Sequence, residues 1–243
     1  GYRLTGEERQ DPLPFCFTDG GNIPYDMGGY YIHALVNMLG PVKRVGGFSR
    51  AFEPKEIYRN PRHPDYKGGI DLDVSTIMTG SLEFWNGCYA NLTTMGVSHL
   101  NEIPRLEIYG TEGTLILPDP NTFCGPVILM RGTSDENLQT CEMPLTHGYG
   151  YKNPEDPQAT EEANKWKDSY RGIGVADLAW AIRNGRPHRC SAELGLHAME
   201  IIHGIERSCA ENKLYEMTTK PERPEAIPTG FIYDTASEAC LDT

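Results

Sequence analysis

The sequence lacks the motifs that build the common cofactor and metal sites. No strand is followed by G-x-G-x-x-G and a helix: Gly172-Ile173-Gly174 has no predicted strand before it, and Asp177 stands at the third glycine position. A P-loop, an H-E-x-x-H helix, a C-x-x-C pair and a G-x-S-x-G turn are missing too. By themselves, the residues of this chain therefore predict neither a cofactor site nor a metal site.

Positive charge and long apolar runs are also scarce. The 243 residues carry a formal net charge of −12, so there is no basic excess to displace counterions from nucleic acid or an anionic membrane. No apolar run approaches the roughly 18 residues of a transmembrane helix, and no signal peptide opens the sequence. We therefore expect a cytoplasmic protein that binds neither nucleic acid nor membranes.

The cysteines do not form a recognisable framework. Their odd number and the absence of paired spacing favour reduced thiols over disulfides, as in cytosolic proteins. The seven positions are Cys16, Cys88, Cys124, Cys141, Cys190, Cys209 and Cys240.

What the sequence does contain is an unusual helix. Residues 25–39 read Y-D-M-G-G-Y-Y-I-H-A-L-V-N-M-L and end at Gly40-Pro41, which is a typical helix stop. At about 100° per residue, four polar side chains share an arc of roughly 60° opposite the apolar side: Asp26, Tyr30, His33 and Asn37. A solvated face is the alternative, but such faces usually carry Lys and Glu, which this stripe lacks. Carboxylate, phenol, imidazole and amide groups hydrogen-bond polyols and move their protons.

The following residues predict an antiparallel sheet. A strand spans Val42–Phe52, and a hairpin at Asn86-Gly87 joins residues 75–85 to 88–95. A second hairpin joins residues 105–109 to 114–117, and residues 127–130 add a strand. Residues 53–69 and 133–167 are expected to be loops.

Two helices follow the strands. The first, Ile173–Asn184, is expected to face the core with Val175, Leu178, Ala179 and Ile182. The second runs from a Ser191 cap to about Glu211 and leaves His197 and His203 on the surface; its inner face is Leu194, Ala198, Ile201, Ile205 and Cys209. One helix, a block of strands and then helices predict an α+β fold, with a large, mainly antiparallel open sheet and helices packed on one face.

Composition suggests three segments. Residues 1–24 are polar and turn-rich, so we expect a linker or arm, and a chain that begins in a linker leads us to expect a missing part. Residues 25–219 form the expected α+β domain. Residues 220–243 contain three prolines and are expected to form a second arm.

Three blocks, residues 20–45, 105–120 and 171–191, resemble the C-terminal domain of the glucose–fructose oxidoreductase/inositol dehydrogenase (Gfo/Idh/MocA) superfamily, and the likeness covers roughly residues 12–226 in order. The resemblance implies an α+β domain with an open sheet that builds the substrate pocket and commonly the oligomer interface. It also implies an N-terminal Rossmann domain that binds NAD or NADP, and hydride transfer on carbohydrates or cyclitols.

The resemblance also implies site residues. The family's first helix carries an aspartate and, four residues later, a histidine, and a lysine comes from the nucleotide domain. Asp26 stands at the aspartate and Tyr30 at the histidine. Because a tyrosine, with an ordinary pKa of about 10, is a poor base near neutral pH, we hypothesise that His33 takes the proton. Further candidates for substrate binding are Asn37, His147, Tyr149 and Arg171, although the glycine-rich segment 146–151 could instead be an ordinary turn.

Three interpretations remain open. The chain is the substrate domain of an NAD(P)-dependent sugar or polyol oxidoreductase and is inactive without its nucleotide domain; or it is a subunit that works with a separate Rossmann-bearing chain; or it is a non-redox module for sugar binding or assembly. The substrate, the choice between NAD and NADP, and the reaction direction are not encoded in these residues.

Overall fold

The computed structural model of the protein describes residues 18, 20–51, 55–57, 61–62, 64–72, 74–96, 105–121, 126–144 and 172–227. Within them, the helices are α1 (Ile23–Leu39), α2 (Ile173–Asn184) and α3 (Ala192–Glu211). The strands are β1 (Val42–Arg50), β2 (Lys55–Ile57), β3 (Gly69–Asp71), β4 (Ile77–Phe84), β5 (Tyr89–Met95), β6 (Leu106–Gly110), β7 (Gly113–Leu117), β8 (Ile128–Arg131), β9 (Gln139–Glu142) and β10 (Tyr215–Glu216). A short 3₁₀ turn spans Asp135–Asn137.

The chain divides into two compact units. The first consists of described residues in 1–101 and 192–223, and the second of those in 102–191 and 224–243. The first unit holds α1, α3, a four-stranded sheet in the order β10-β1-β4-β5 and the β2-β3 ribbon; the second holds α2 and a sheet in the order β6-β7-β8-β9. Every strand pair described is antiparallel, so the predicted α+β class is confirmed.

Helix α1 begins two residues earlier than predicted and ends as predicted. The backbone carbonyl of Asn22 accepts hydrogen bonds from the N–H groups of Tyr25 and Asp26 at 3.0 and 2.9 Å. At the other end, Gly40 adopts φ 87°, a conformation that favours glycine, and its N–H donates to Val36 O at 2.8 Å. The helix therefore ends before it would reach Pro41.

The core of the first unit lies between the four-stranded sheet and α1 with α3. Most of the predicted inner face of α3 is confirmed, because Leu194, Ala198, Ile201 and Ile205 are buried. From the other elements, the core receives Ile32, Val36, Val42, Val45, Met78, Leu82 and Phe84. The opposite face of this sheet carries the outward residues of β1, β4 and β5, most of which are exposed.

Helix α3 approaches the sheet closely at Gly204. A Cβ atom at this position would lie 2.7 Å from Tyr215 Cδ1 and 2.9 Å from Val45 Cγ2. Since real Cβ contacts essentially never fall below 3.0 Å, any larger residue would push α3 away from β1 and β10.

We expect Gly204→Ala to lower the free energy of unfolding by about 1–3 kcal/mol, because the added methyl overpacks this contact. Gly195 is the matched control on the same helix, since a Cβ there would meet nothing within 4 Å. Gly195→Ala should therefore raise stability by about 0.5–1 kcal/mol through helix propensity. Urea denaturation of both variants checks the prediction, and equal effects would contradict it.

The predicted inner face of α2 is wrong. Val175 and Ile182 are 71% and 75% exposed, and Leu178 is exposed as well. The helix instead buries Asp177, whose carboxylate accepts hydrogen bonds from the Arg186 and Arg189 side chains and from the Arg189 backbone N–H. These bonds hold the polar side of α2 against the segment that follows it.

The predicted loops also contain regular structure. Strands β2 and β3 pair within and beside the predicted loop 53–69, and β9 lies in the predicted loop 133–167. All four residues of β9 are exposed, so no apolar alternation marked it as a strand.

Candidate active site

The polar stripe of α1 alternates between half-buried and exposed positions along the helix. Asp26 and His33 are half-buried, whereas Tyr30 and Asn37 are exposed. The backbone carbonyl of Asn37 accepts a hydrogen bond from Arg223 Nε at 2.7 Å. Since Asn37 is exposed, its side-chain amide can meet a ligand.

The imidazole of His33 has a fixed tautomer. Its Nδ1 lies 2.7 Å from the Gly29 carbonyl oxygen. Because a carbonyl oxygen only accepts, Nδ1 must carry the hydrogen, and in the neutral ring Nε2 is left with an open lone pair. This Nε2 is buried and has no hydrogen-bond partner among the described residues. His33 therefore presents a proton acceptor that no described residue satisfies.

Three other buried side-chain atoms also have no hydrogen-bond partner among the described residues: Asn22 Oδ1, Asp26 Oδ2 and Thr94 Oγ1. Asn22 is 2% exposed and Thr94 8% exposed. Asn22 stands at the N-cap of α1, yet its side chain makes no capping bond. Buried polar groups are rarely left unsatisfied, and each such group calls for a specific explanation.

Neither Asn22 nor Thr94 stands out in the sequence as a candidate for a functional role. An asparagine before Ile23-Pro24 is a recognisable N-cap signal, but it indicates a structural bond that the Asn22 side chain does not make. Thr94 lies in a strand, and nothing in the sequence distinguishes it from other strand threonines.

The start of α1 packs against α3 and against Gly96, the residue that follows β5. The Tyr25 hydroxyl donates to Glu206 Oε2 at 3.0 Å. A Cβ at Gly28 would lie 3.3 Å from Ile202 Cδ1, and a Cβ at Gly96 would lie 3.0 Å from Ile23 Cγ1. The first turns of α1 are thus held on two sides.

The structure does not place all predicted site residues. His147, Tyr149 and Arg171 lie outside the described residues. Of the predicted set, only the four residues of α1 are brought together, on one side of one helix.

His197 is fully buried, so its predicted surface position is wrong, whereas His203 is exposed as predicted. Nε2 of His197 accepts the Val42 backbone N–H at 3.0 Å. Nδ1 therefore carries the hydrogen and donates to Thr219 Oγ1 at 2.7 Å. Burial lowers the pKa of His197, although Glu200 nearby favours its charged form. This histidine has a partner on each nitrogen and serves the fold.

Glu200 is the central acceptor of a hydrogen-bond network that also contains Thr219, the partner of His197. Its carboxylate accepts hydrogen bonds from the hydroxyl groups of Tyr215, Thr218 and Thr219 and from the backbone N–H groups of the two threonines. Burial alone would raise the pKa of Glu200, but the threonine hydrogen bonds outweigh burial and lower the pKa to about 2. The carboxylate therefore joins α3 to β10 and the segment after it.

A cavity of about 820 Å³ lies elsewhere in the first unit, against β1, β4 and the end of α3. Its lining includes Arg44, Gly46, Phe48, Ser81, Glu83 and Tyr89. Phe48 and Tyr89 are 76% and 74% exposed. None of the residues of the α1 stripe lines this cavity, so it is separate from the predicted site.

The described part of the chain contains no cluster of three His, Cys, Asp or Glu side chains placed to hold a metal ion. None of its three helices has the length and hydrophobicity required to cross a bilayer.

Residues 5–116 match the family model described as GFO/IDH/MocA C-terminal domain. This match confirms the resemblance predicted from the sequence. No curated protein matches the chain.

Solved structures share the fold. An oxidoreductase domain protein from Kribbella flavida has a TM-score of 0.62 and 18% identity, over 88% of this chain and 56% of that chain. An NAD binding oxidoreductase from Klebsiella pneumoniae has a TM-score of 0.62 and 15% identity over the same shares. Levoglucosan dehydrogenase in complex with NADH has a TM-score of 0.58 and 17% identity, over 86% of this chain and 56% of that chain. The present chain thus spans about half the length of these structures.

Proposed function

Because residues 5–116 match a GFO/IDH/MocA C-terminal domain, we propose that this chain supplies the substrate-binding half of an NAD- or NADP-dependent oxidoreductase. The proposed reaction is hydride transfer from a CH–OH group of a sugar, a cyclitol or a related polyol. Residues 25–219 carry the substrate-binding and oligomerisation roles. The observation that supports the proposal best is that the buried Nε2 of His33, on the same stripe of α1 as Asp26, has no partner among the described residues.

Alcohol oxidation removes the hydroxyl proton together with a hydride from the adjacent carbon, so a base must lie beside the hydroxyl group. His33 suits this role because Gly29 holds its Nδ1–H and leaves the Nε2 lone pair open. In this scheme, Asp26 accepts a hydrogen bond from a neighbouring hydroxyl group and orients the substrate. The phenol of Tyr30 donates a hydrogen bond rather than taking the proton.

The rest of the proposed site binds substrate without taking part in proton transfer. The side-chain amide of Asn37, on the exposed end of the stripe, hydrogen-bonds a distal hydroxyl group. His147, Tyr149 and Arg171 complete the proposed set of substrate-binding residues.

The nicotinamide cofactor would accept the hydride, and we assign its binding to no residue described here. The described elements include no glycine-rich turn from a strand into a helix of the kind that cradles a dinucleotide. The solved structures that share the fold are considerably longer than this chain, and one of them holds NADH. These observations support a nucleotide-binding domain supplied from outside the described residues.

The proposal is tested by hydride transfer. The coding region upstream of residue 1 should encode a strand, a G-x-G-x-x-G loop and a helix, and the protein containing that segment should reduce NAD⁺ or NADP⁺ with a sugar or cyclitol. The chain of 243 residues alone is the control and should be inactive, because hydride donor and acceptor must be held together. A separate dinucleotide-binding protein that co-purifies would instead support the two-subunit arrangement. Sugar binding without any redox activity would support the non-redox module.

Self-association through the open face of the β10-β1-β4-β5 sheet is part of the proposal. Phe48 and Tyr89 stand out from this face and are largely exposed, and exposed aromatic residues are enriched at interfaces. We expect light scattering to show an oligomer, and Phe48→Ser to raise its dissociation constant at least about tenfold. Ile182→Ser, at an equally exposed position on α2, is the control and should have no effect. A monomeric chain at every concentration would contradict this part of the proposal.

A further inference from the structure

We infer that residues 217–223, the segment that follows β10, form a strap that holds the C-terminal end of α1, and that Arg223 of this strap is a positioning residue for Asn37. The inference rests on the proposed function, in which the side-chain amide of Asn37 binds a distal hydroxyl group of the substrate. The strap, α1, α3 and β4 all belong to the first unit.

The C-terminal end of α1 is capped by side chains from distant parts of the chain. The last carbonyl groups of a helix have no partner within the helix. Here Asn37 O accepts a hydrogen bond from Arg223 Nε at 2.7 Å, and Leu39 O accepts one from Asn86 Nδ2 at 2.8 Å. The guanidinium charge also lies at the negative end of the helix dipole, where a cation is favourable. The last turn of α1 therefore depends on a residue 186 positions away from Asn37.

The start of the strap is fixed by backbone hydrogen bonds. The Met217 N–H donates to Lys43 O, next to β10, at 3.0 Å. The N–H groups of Thr218 and Thr219 donate to the buried Glu200 carboxylate of α3 at 2.7 and 2.9 Å. Three consecutive residues of the strap are thus attached to the sheet and to α3.

A cation–π contact holds the middle of the strap. Lys220 Nζ lies 4.0 Å from the centroid of the Trp85 ring, and Lys43 Nζ lies 5.7 Å from the same centroid. Trp85 directly precedes Asn86, the residue that caps Leu39. The strap therefore passes beside the β4-β5 turn on its way to the end of α1.

Two prolines favour an extended strap. Pro221 and Pro224 directly follow Lys220 and Arg223, and a residue before proline is restricted to extended conformations. In a polyproline II segment, which has three residues per turn, residues three apart lie on the same side, about 9 Å from each other. This spacing suits the contacts that Lys220 and Arg223 make with Trp85 and α1. The sequence thus limits the entropy that the strap loses when it is fixed in place.

The strap acts on one end of the polar stripe. Helix ends fray, and Asn37 lies in the last turn of α1, whereas His33 lies one turn further inside and is held by Gly29 O. Loss of the Arg223 bond should therefore displace the Asn37 amide and leave the His33 imidazole in place. Arg223 thus supports substrate binding and has no part in proton transfer.

Hydrogen exchange in the chain of 243 residues, measured by NMR without any nucleotide, tests the strap. Arg223→Ala should accelerate exchange of the amide N–H groups of residues 38–40 at least about tenfold, the effect of one lost hydrogen bond to a charged group. The N–H of Ile32, in the middle of α1, should be unaffected. Glu222→Ala, at the exposed neighbouring position of the strap, is the matched control and should change neither rate. Equal exchange of residues 38–40 in Arg223→Ala and Glu222→Ala would overturn the inference.

Lys220→Ala tests the strap separately from its last bond. This variant keeps Arg223 but removes the contact with Trp85, so exchange of residues 38–40 should again be faster, by a smaller factor than in Arg223→Ala. Lys213→Ala, at another exposed lysine of the first unit, should have no effect on these residues. Unchanged exchange in Lys220→Ala would overturn the strap, because Arg223 would then reach α1 without it.

The positioning role is tested in the hydride-transferring enzyme that contains this chain. Arg223→Ala should raise the KM for the polyol at least about fivefold and keep kcat within about twofold, because Asn37 binds the substrate equally well before and in the transition state. Glu222→Ala should change neither constant. Faster exchange of residues 38–40 with an unchanged KM would overturn the inference, since the held helix end would then have no bearing on the substrate. An enzyme that is inactive before any substitution would instead reject the proposed function, and the exchange rates, measured without turnover, would separately show whether the strap holds α1.

Discussion

His33→Ala should lower the kcat of the hydride-transferring enzyme that contains this chain by about 10²-fold or more, the usual contribution of a positioned general base. Alanine removes the only nitrogen of the α1 stripe whose lone pair is buried and unpartnered among the described residues. Steady-state rates with NAD⁺ or NADP⁺ and saturating polyol measure the effect. The loss should appear mainly in kcat, because the base acts on the proton that leaves during the reaction.

Two matched variants make this result specific. Tyr30→Phe keeps the ring and removes the hydroxyl group, so we expect a smaller loss, corresponding to one substrate hydrogen bond. His203→Ala removes an exposed histidine of α3 and should leave the rate unchanged. If His33→Ala retained full turnover while Tyr30→Phe abolished it, the tyrosine at the family's histidine position would be the catalytic group and our assignment would be wrong.

Glu200→Gln should destabilise the fold by about 2–4 kcal/mol, because the new amide N–H₂ cannot accept the hydrogen bonds that converge on this position. Tyr215, Thr218 and Thr219 all donate to the carboxylate. The substitution would leave buried donors facing a donor. Guanidinium denaturation measures the loss of stability. Glu211→Gln, on an exposed carboxylate of the same helix, should have far less effect, and similar losses in the two variants would contradict the role assigned to Glu200.

The pH dependence of stability gives a second measure of the same network. The pKa of Glu200 is lowered from 4.5 to about 2, so the unfolded chain binds the proton more readily than the folded one between these values. Its stabilisation is therefore complete above about pH 4.5 and is lost as the pH falls towards 2. The pKa of His197 is lowered as well, so its contribution starts to fade when the pH drops below the ordinary value of 6.5. Glu200→Gln should flatten the acid part of the curve.

Local signals predicted most of the fold. The Gly40-Pro41 stop, the Asn86-Gly87 turn and the apolar spacing of α3 each act within a few residues, and the structure confirms all three. The predicted inner face of α2 was wrong, because the buried ion pair of Asp177 outweighed the apolar periodicity of the helix. Asp177 reads as a polar surface residue until its partners Arg186 and Arg189, which follow the helix, are known.

The candidate site was also predictable only in part, because burial and hydrogen-bond partners are known only from the structure. Helical periodicity was enough to place Asp26, Tyr30, His33 and Asn37 on one stripe. What distinguishes Asn22 and Thr94 is that each has a buried side-chain atom without a partner in the described part of the chain, and this property depends on the packing of α1 against β5. His197 shows the converse case: the sequence placed it on the surface, but a backbone N–H of β1 and a hydroxyl group after β10 satisfy both ring nitrogens.

The first unit is built from two stretches of the chain that are separated by residues of the second unit, so its folding requires a long loop to close. Strands β1, β4 and β5 are made early, but α3 and β10, which cover and extend their sheet, follow residues 102–191 of the second unit. Until α3 is made, α1 is the one described helix of the first unit that can cover Val45, Met78 and Leu82. The slow step in folding should therefore be the closure of this long loop, whose entropy cost rises only with the logarithm of its length. Lengthening the second unit should thus slow assembly of the first unit only slightly, whereas truncation before α3 should leave its sheet exposed and prone to aggregate.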